Sequence, residues 1–403
     1  MELVQIEDAR RAAALLKGVA HVTPLSPSRV LSEMTGGPIF LKCENLQRTG
    51  SFKIRGAYNR IALLSDAERA LGVVAASAGN HAQGVALAAS LLGVKATVFM
   101  PVGAPLPKVQ ATSAYGANVV LEGSIYDEAY HAAEIYAKEQ SAVLVHPFDH
   151  PDVIAGQGVV GLEIMEELPE VGTILVGVGG GGLISGIAAA VKPLRPEVKV
   201  VGVEPEGAAG LTRSLEAGHV VTLPQISTVA DGLAAKRAGD LTFAHVSKLV
   251  DAMVTVTDEE IAEGLLLMAE RSKLVVEPAA AAPVAALMRG RVTLAHPVVA
   301  VVSGGNIDPL LLLRVLRFAM SSAGRYFSFR TRLSDRPGAL HRLTGVIAEL
   351  QANIVGIEHV REGAPTKYLG EVDVALQVET RGPDHVRELV RRLRRSGYSV
   401  EAT

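Results

Sequence analysis

The alternation of apolar runs and glycine-rich turns between Ile39 and Ile307 restricts the fold more than any other feature of the chain. Short β-branched runs end in such turns and are followed by alanine-rich stretches with helical spacing. Examples of these runs are 72–76, 97–100, 173–178, 198–203 and 297–302. Apolar runs separated by helices are typical of parallel strands buried on both faces. The sequence therefore predicts an open α/β sheet, with ligands bound at the carboxyl ends of its strands.

The pattern changes near Ser321–Gly324, which predicts a linker. The segments that follow are a strand over 325–333, a helix, strands over 353–360 and 368–379, a second helix and a strand ending near Val400. This βαββαβ order is that of a ferredoxin-like unit. We expect a catalytic domain over 1–320, in which a smaller subdomain of roughly 50–150 is inserted, and a second domain over 324–403.

Composition excludes several classes of protein. The chain has 403 residues, 49% of them hydrophobic, which is enough for two or three domains with large cores. A net charge of −3 does not favour a nucleic-acid partner, and no apolar run is long enough to cross a bilayer. The single cysteine, Cys43, suits a reducing compartment and is predicted to be a small core residue. Because the first residues also lack a signal-peptide pattern, we expect a cytoplasmic protein.

A run of four glycines, Gly179–Gly182, lies between a predicted strand and a predicted helix. Such a turn lets successive backbone N–H groups converge on an anion, and the start of the helix adds partial positive charge. The segment Gly177–Gly182 also fits the G-x-G-x-x-G pattern of dinucleotide-binding sites, with Glu204 at a suitable distance. Considered alone, the glycines leave a phosphate site and an NAD site both open.

Lys53 lies between Phe52 and Ile54, in a turn after a predicted strand. Burial between apolar neighbours would lower the pKa of its amine and free it to form a Schiff base, whereas the alternative for any single lysine is a solvated surface charge. A reactive amine and a phosphate-binding turn together match a cofactor that carries an aldehyde and a phosphate. Pyridoxal phosphate is such a cofactor.

Two further polar turns follow predicted strands. The Ser77–Gly84 turn carries Asn80, a hydrogen-bond donor, and the Ser303–Asn306 turn carries Ser303, which can bond a ring nitrogen. Because the carboxyl ends of neighbouring strands meet at one edge of a sheet, we expect a single ligand to contact these turns, Lys53 and the glycines.

Four motifs occur in the order found in pyridoxal-phosphate enzymes of fold type II: Ser51–Ala57, Ser77–Gly84, Gly179–Gly182 and Ser303–Asn306. Among those enzymes the chain most resembles the threonine dehydratases, also called threonine ammonia-lyases, from roughly Ile6 to Leu313. The tail from about Gly324 to Thr403 resembles an ACT domain, an amino-acid-sensing module. The resemblance implies two open α/β subdomains followed by a regulatory domain.

The resemblance also implies roles for individual residues. The implied cofactor contacts are Lys53 as the Schiff-base lysine and catalytic base, Phe52 beside the ring, Asn80 at the 3′-oxygen, Gly179, Gly180, Gly181, Gly182 and Leu183 at the phosphate, and Ser303 at the pyridine nitrogen. The implied contacts to the substrate carboxylate are Ser51, Ser77, Ala78, Gly79, Asn80 and His81. A neutral serine does not hold a proton on the pyridine nitrogen, so elimination is favoured over transamination.

The function implied by the resemblance is pyridoxal-phosphate-dependent deamination of L-threonine to 2-oxobutanoate and ammonia, and of L-serine to pyruvate, in isoleucine biosynthesis or threonine catabolism. The alternatives are a serine racemase or another β-eliminating or β-replacing enzyme of the same fold, an NAD-dependent oxidoreductase, and an amino-acid sensor without catalysis. Racemases of this fold carry a serine base where this chain has Ala78, so we expect little racemisation.

The remaining predictions concern metals, effectors and assembly. Racemase-like relatives bind a divalent cation through a glutamate, which Glu204 matches, and an aspartate, in whose place Gly210 stands, so we expect no metal. The candidate effector contacts in the ACT-like tail are Asp335, Gly338 and Asn353, for isoleucine or valine, and we expect a homodimer or homotetramer. The segment His146–Asp152 is predicted to be a structural loop and not a metal site.

Overall fold

A computed structural model describes residues 2–360 and 370–402. The chain divides into two compact units, Met1–Leu312 and Leu313–Thr403. The division expected from the sequence, at 320–324, lies at the end of a helix that runs from Pro309 to Ser322, and those boundaries stay a prediction.

The larger sheet of the first unit has the strand order β1-β2-β10-β7-β8-β9. Its strands are β1 (Leu25–Pro27), β2 (Ile39–Cys43), β7 (Thr173–Gly177), β8 (Lys199–Pro205), β9 (Ala252–Val256) and β10 (Val298–Val302). All neighbours are parallel except β1 and β2, and every residue of β7 and β10 is buried. The predicted parallel α/β sheet is therefore confirmed.

The smaller sheet of the first unit is also parallel, with the order β5-β4-β3-β6. Its strands are β3 (Val73–Ala76), β4 (Ala96–Met100), β5 (Asn118–Leu121) and β6 (Val143–Leu144). The chain therefore forms the smaller sheet with the segment between β2 and β7 and then returns to the larger one.

Helices cover the two sheets. Their bounds are α1 (Ile6–Leu16), α2 (Arg29–Thr35), α3 (Lys53–Ala62), α4 (Asp66–Leu71), α5 (Asn80–Leu91), α6 (Leu106–Ala114), α7 (Tyr126–Glu139), α8 (Pro151–Glu167), α9 (Gly182–Val191), α10 (Gly210–Ala217), α11 (Asp240–Leu249), α12 (Asp258–Leu267) and α13 (Pro278–Met288). The next helix, α14 (Pro309–Ser322), begins in the first unit and continues into the second. Helices α8 and α9 cross with their backbones in contact, because a Cβ at Gly186 would lie 2.4 Å from the carbonyl oxygen of Ile154.

A network of buried charges joins α3 to β2 and α8. Arg55 of α3 donates to both oxygens of Glu44 and of Glu163, at 2.6–2.9 Å, and to the carbonyl oxygen of His21 at 3.0 Å. Lys42 of β2 lies 2.8 Å from Glu163 and is fully buried. No local pattern in the sequence indicates this network, which fixes the helix that begins at Lys53 against the larger sheet.

The second unit has the predicted βαββαβ order. Its elements are β11 (Tyr326–Ser334), α15 (Ala339–Glu349), β12 (Asn353–Val360), β13 (Glu371–Glu379), α16 (Pro383–Arg395) and β14 (Glu401–Ala402). The strands form an antiparallel sheet in the order β12-β13-β11-β14. Part of the strand predicted over 368–379 lies outside the described residues. The last strand comes after Val400 and not before it, because Gly397, at φ +88°, first turns the chain after α16.

Both helices of the second unit pack apolar side chains on one face of its sheet. Leu343 and Ile347 of α15 and Leu389 and Leu393 of α16 are fully buried. The arginines around Leu393 are exposed, so the basic run at 391–395 is a solvated helix face. Among the described residues of the whole chain, no helix is long and apolar enough to span a membrane.

Candidate active site

Lys53 is the first residue of α3 and is half-buried. Its Nζ donates a hydrogen bond to the carbonyl oxygen of Pro147 at 2.7 Å and lies 5.1 Å from the centre of the Phe52 ring. Burial lowers the pKa of Lys53 to about 8, although the nearby carboxylate of Glu277 acts in the opposite direction. With a pKa near 8, roughly a tenth of this amine is neutral and nucleophilic at pH 7, far more than at the ordinary lysine pKa.

The backbone before Lys53 is held against the turn after β10. Ser51 and Gly304 form an isolated antiparallel bridge, and the N–H of Phe52 donates to the carbonyl oxygen of Ser303 at 3.2 Å. Within residues 2–360 and 370–402, the buried hydroxyl of Ser51 has no hydrogen-bond partner. The structure thus places Ser51, Phe52 and Ser303 beside the lysine, and one hydroxyl there is available to a ligand.

The Ser77–His81 segment connects β3 to α5. The hydroxyl of Ser77 accepts a hydrogen bond from the N–H of Gly79 at 3.1 Å, which shapes the turn before the helix. His81 lies 2.8 Å from the carbonyl oxygen of Val145, and burial, with the charge of Lys53, lowers its pKa to about 3. His81 is therefore neutral and is held by the backbone, and a general base with so low a pKa would be weak at neutral pH.

Asn80 is linked to the turn after β10 and to Glu277. Its Nδ2 donates to Oε1 and Oε2 of Glu277 at 2.8 and 3.0 Å, and its Oδ1 accepts from Nδ2 of Asn306 at 2.8 Å. Glu277 itself is tied to that turn, since its N–H donates to the carbonyl oxygen of Gly304 at 3.1 Å. The sequence leaves two interpretations of Glu277, which precedes the proline that starts α13: a residue near the cofactor ring, or a carboxylate that favours the start of the helix.

The four glycines form the turn from β7 into α9. Gly181 has φ +92°, a backbone conformation that favours glycine, and a Cβ at Gly180 would lie 2.3 Å from the ring of Phe148. Among the described residues, the N–H groups of Gly179, Gly180 and Gly181 have no hydrogen-bond acceptor. Leu183 follows in the first turn of α9. The turn is therefore a ready anion site at the start of a helix.

The loop before α8 connects the glycines to the lysine. Phe148 packs under Gly180 and Gly182, while the preceding residue, Pro147, supplies the carbonyl oxygen bound by Lys53. His146 shapes this loop, because its Nδ1 accepts from the N–H of Asp149 at 2.8 Å. Burial lowers the pKa of His146 to about 4. The ring nitrogens of His146 and His150 thus accept hydrogen bonds from backbone N–H groups within their own segment.

The residues present fit pyridoxal phosphate. A neutral amine would meet an aldehyde, unpaired backbone N–H groups would meet a phosphate, and the side chains of Asn80 and Ser303 lie on the elements between them. The NAD alternative required Glu204 to face a ribose. Glu204 instead caps α10, where it accepts hydrogen bonds from the N–H groups of Leu211 and Thr212, each at 2.8 Å. In the described part of the chain, no group of three histidine, cysteine or acidic side chains could hold a metal.

The three predicted effector contacts do not meet within one chain. Asp335 and Gly338 lie in the turn between β11 and α15, and Asn353 starts β12. Ser334 pairs with Glu371 of β13 and Asn353 with Glu379, eight residues further along the same strand, which is roughly 26 Å. Because β11 and β12 both run antiparallel to β13, the end of β11 and the start of β12 lie at opposite ends of β13.

Comparison with known proteins shows the family to which the chain belongs. Residues 16–304 match the family described as pyridoxal-phosphate dependent enzyme, and residues 327–395 match the ACT domain. The chain therefore belongs to the pyridoxal-phosphate-dependent enzymes and carries a C-terminal ACT domain. It is 50% identical over 398 residues to the L-threonine ammonia-lyase of Thermotoga maritima, covering 99% of each chain. It is 49% identical over 380 residues to the L-threonine ammonia-lyase of Geobacter sulfurreducens, covering 94% of each.

Solved structures of the same fold include enzymes with different reactions. The processed form of threonine deaminase isoform 2 from Solanum lycopersicum has a TM-score of 0.75 and 38% identity, covering 78% of this chain and 87% of its own. Maize serine racemase has the same TM-score and identity, covering 80% of this chain and 99% of its own. The fold alone therefore does not separate deamination from racemisation.

Proposed function

We propose that the protein deaminates L-threonine to 2-oxobutanoate and ammonia, with L-serine as a second substrate that yields pyruvate. The proposal is supported by the similarity to two L-threonine ammonia-lyases over nearly the whole chain. The observation that carries it is the half-buried amine of Lys53, which has a lowered pKa and is bonded to the loop whose Phe148 packs under the glycine turn. A role in isoleucine biosynthesis or in threonine catabolism, a cytoplasmic location and a homo-oligomeric state stay predictions.

In the proposed mechanism, the bound cofactor supplies an electron-withdrawing ring that makes the α-proton of the amino acid acidic. Lys53 is the base that takes this proton, because its lowered pKa keeps part of the amine neutral near pH 7 and the carbonyl oxygen of Pro147 orients it. The substrate carboxylate would be held by the hydroxyl of Ser51, which has no partner among the described residues, and by those N–H groups of the Ser77–His81 turn that are not already bonded to Ser77 or Phe99. When the cofactor is bound, Ser303 would face its pyridine nitrogen and Gly179–Leu183 would hold its phosphate.

Racemisation is disfavoured by the side chain at position 78. A racemase must return a proton to the face of the α-carbon opposite its lysine, and Ala78 has no group that can carry one. The neighbouring His81 is held neutral and bonded to Val145. We therefore infer that deamination dominates, although maize serine racemase has a similar fold.

The main test is an absorbance spectrum of the purified protein before and after addition of L-threonine, with 2-oxo acid and D-amino acid measured alongside. We expect a yellow protein whose band changes on addition and which releases 2-oxobutanoate. Lys53→Ala should abolish both the turnover and the borohydride-reducible chromophore, whereas Lys95→Ala, at an exposed lysine before β4, should keep them. Near-normal turnover by the Lys53→Ala variant would disprove the assignment.

We also propose that an amino acid, isoleucine or valine, regulates the enzyme through the ACT domain. The candidate contacts are Asp335, Gly338 and Asn353. Within one chain, Asn353 lies at the opposite end of β13 from the other two residues, so two chains would have to form one effector site. Asn353→Ala in the full-length protein should weaken inhibition by isoleucine, whereas Thr344→Ala, at a half-buried residue of α15 outside the candidate contacts, should not. Equal inhibition of both variants and of the unaltered protein would exclude this site.

A further inference from the structure

The carboxylate of Glu277 is buried in the candidate site and has no role in the mechanism above. Its residue is only 4% exposed. Although Glu277 occupies the N-cap position of α13, its side chain makes no capping hydrogen bond. Both carboxylate oxygens instead accept from Nδ2 of Asn80, at 2.8 and 3.0 Å. Because both carboxylate oxygens bind the amide of Asn80 and neither caps α13, we expect Glu277 to fix the orientation of that amide.

The amide of Asn80 is fixed at both ends. Its oxygen accepts from Nδ2 of Asn306, which also donates to the carbonyl oxygen of Thr49 at 2.7 Å. Because Asn306 can only donate through Nδ2 and Glu277 accepts from Asn80, the amide cannot flip without losing bonds at both ends. Asn80 therefore presents its N–H groups, and never its oxygen, on the side that faces Glu277.

There is little space for this arrangement to relax. A Cβ at Gly304 would lie 2.4 Å from Oε1 of Glu277 and 3.2 Å from Nδ2 of Asn80. The backbone next to Ser303 thus covers the contact between the two side chains. The cofactor-binding turn after β10 and the Glu277–Asn80 pair form one packed unit.

Glu277 is electrostatically coupled to the catalytic amine. Burial raises the pKa of Glu277 to about 7, the hydrogen bond from Asn80 and the charges of Lys108 and Lys53 lower it, and Asp231 raises it. Lys108 of α6 and Asp231 are themselves an ion pair, 2.7 Å apart. In the reverse direction, the charge of Glu277 raises the pKa of Lys53.

We propose that Glu277 is a positioning residue: it accepts one N–H of Asn80 and so directs the other N–H toward the oxygen on the cofactor ring, while its charge acts on the Lys53 amine. The proposal rests on the proposed function, because it takes Asn80 and Lys53 as cofactor contacts. Glu277 itself exchanges no proton with the substrate. Its effect reaches the reaction through Asn80 and through the charge of the lysine.

The test uses Glu277→Gln, which keeps the shape of the side chain and removes its charge. Two measurements are made against pH: the labelling rate of Lys53 by an amine-reactive reagent in the cofactor-free protein, and the absorbance of the bound cofactor in the loaded protein. We expect both midpoints to move to lower pH by about half a unit or more, because the charge that favours the protonated nitrogen is lost. Glu277→Asp keeps the charge, so both of its midpoints should stay close to those of the unaltered protein. Glu259→Gln, at an exposed glutamate of α12, should leave both midpoints unchanged.

A second variant separates positioning from charge. Asn306→Ala frees the oxygen end of Asn80 and leaves the charge of Glu277, so we expect pyridoxal phosphate to bind roughly 2–10-fold more weakly with the Lys53 midpoint unchanged. This variant also carries the test if Glu277→Gln does not fold. If the unaltered protein deaminates threonine, either of two results would overturn the inference. One is that Glu277→Gln has the same midpoints as the unaltered protein, and the other is that Asn306→Ala binds the cofactor equally tightly. An unaltered protein without a reactive Lys53 would instead overturn the proposed function.

Discussion

Replacing Arg55 by methionine should remove the centre of the buried charge network while keeping much of the side-chain volume. Within the described residues, the guanidinium donates five hydrogen bonds, to Glu44, Glu163 and the carbonyl oxygen of His21. Methionine donates none, and the ammonium of Lys42 is left with two buried carboxylates. Removing one partner of a buried ion pair costs about 3–5 kcal/mol, and we expect a loss of folding free energy in that range.

Urea unfolding measures this loss. With a slope of about 3 kcal/mol per molar, the loss lowers the midpoint by about 1 M or more. The matched control is Arg10→Met, which removes an exposed pair with Glu7 on α1 and should shift the midpoint little. Equal midpoints for the Arg55→Met and Arg10→Met variants would refute the view that the buried network stabilises the first unit.

The same variant has a defined dependence on pH. Burial alone would raise the pKa of Glu44, but the charge and hydrogen bonds of Arg55 lower this pKa below its ordinary value of 4.5. A carboxyl with a lowered pKa stabilises the fold above pH 4.5 and loses that contribution as the pH falls through its folded pKa. In the Arg55→Met variant this contribution is absent at every pH. The difference in stability between the variant and the unaltered protein should therefore shrink as the pH falls below about 4.5, and a constant difference would contradict the assignment to Glu44.

Three further predictions follow from the site. Gly180→Ala places a Cβ 2.3 Å from the ring of Phe148, so we expect cofactor affinity, measured by equilibrium dialysis, to fall at least about tenfold. Gly345→Ala, whose Cβ would have no atom within 4 Å, should leave the affinity unchanged. His81 stays neutral when folded, so stability measured by urea midpoints should decline as the pH falls from 6.5 toward 3, and His81→Gln should flatten that decline. Ala78→Ser supplies a hydroxyl on the opposite face of the substrate, so D-serine formation from L-serine, followed by chiral chromatography, should rise above that of the unaltered protein.

The sheets and the turns of the site follow from local patterns in the sequence. The run at 72–76 became β3 because its β-branched and alanine side chains are buried on both faces, and the glycines at 179–182 lie where the pattern required a turn into a helix. The βαββαβ order of the second unit was likewise predictable, because Leu343, Ile347, Leu389 and Leu393 show helical spacing. Patterns of this kind depend on residues that are near in sequence.

The parts that could not be predicted depend on contacts between distant segments. Glu277 and Asn80 are separated by 197 residues, and Arg55 and Glu163 by 108. Nothing near either residue in the sequence shows that a carboxylate before a proline will bind an amide on another helix. In the same way, Asn353 lies far from Asp335, at the other end of β13, because β11 and β12 both pair antiparallel with that strand. Its position after a helix in the sequence does not indicate this.

One short loop serves both ends of the cofactor site. The ring of Phe148 supports the glycine turn, and the carbonyl oxygen of the residue before it holds the amine of Lys53. A shift of this backbone by a fraction of an ångström would change anion affinity and lysine reactivity together. Efforts to engineer a new cofactor analogue into the pocket would therefore have to leave residues 146–149 untouched, or redesign both contacts at once.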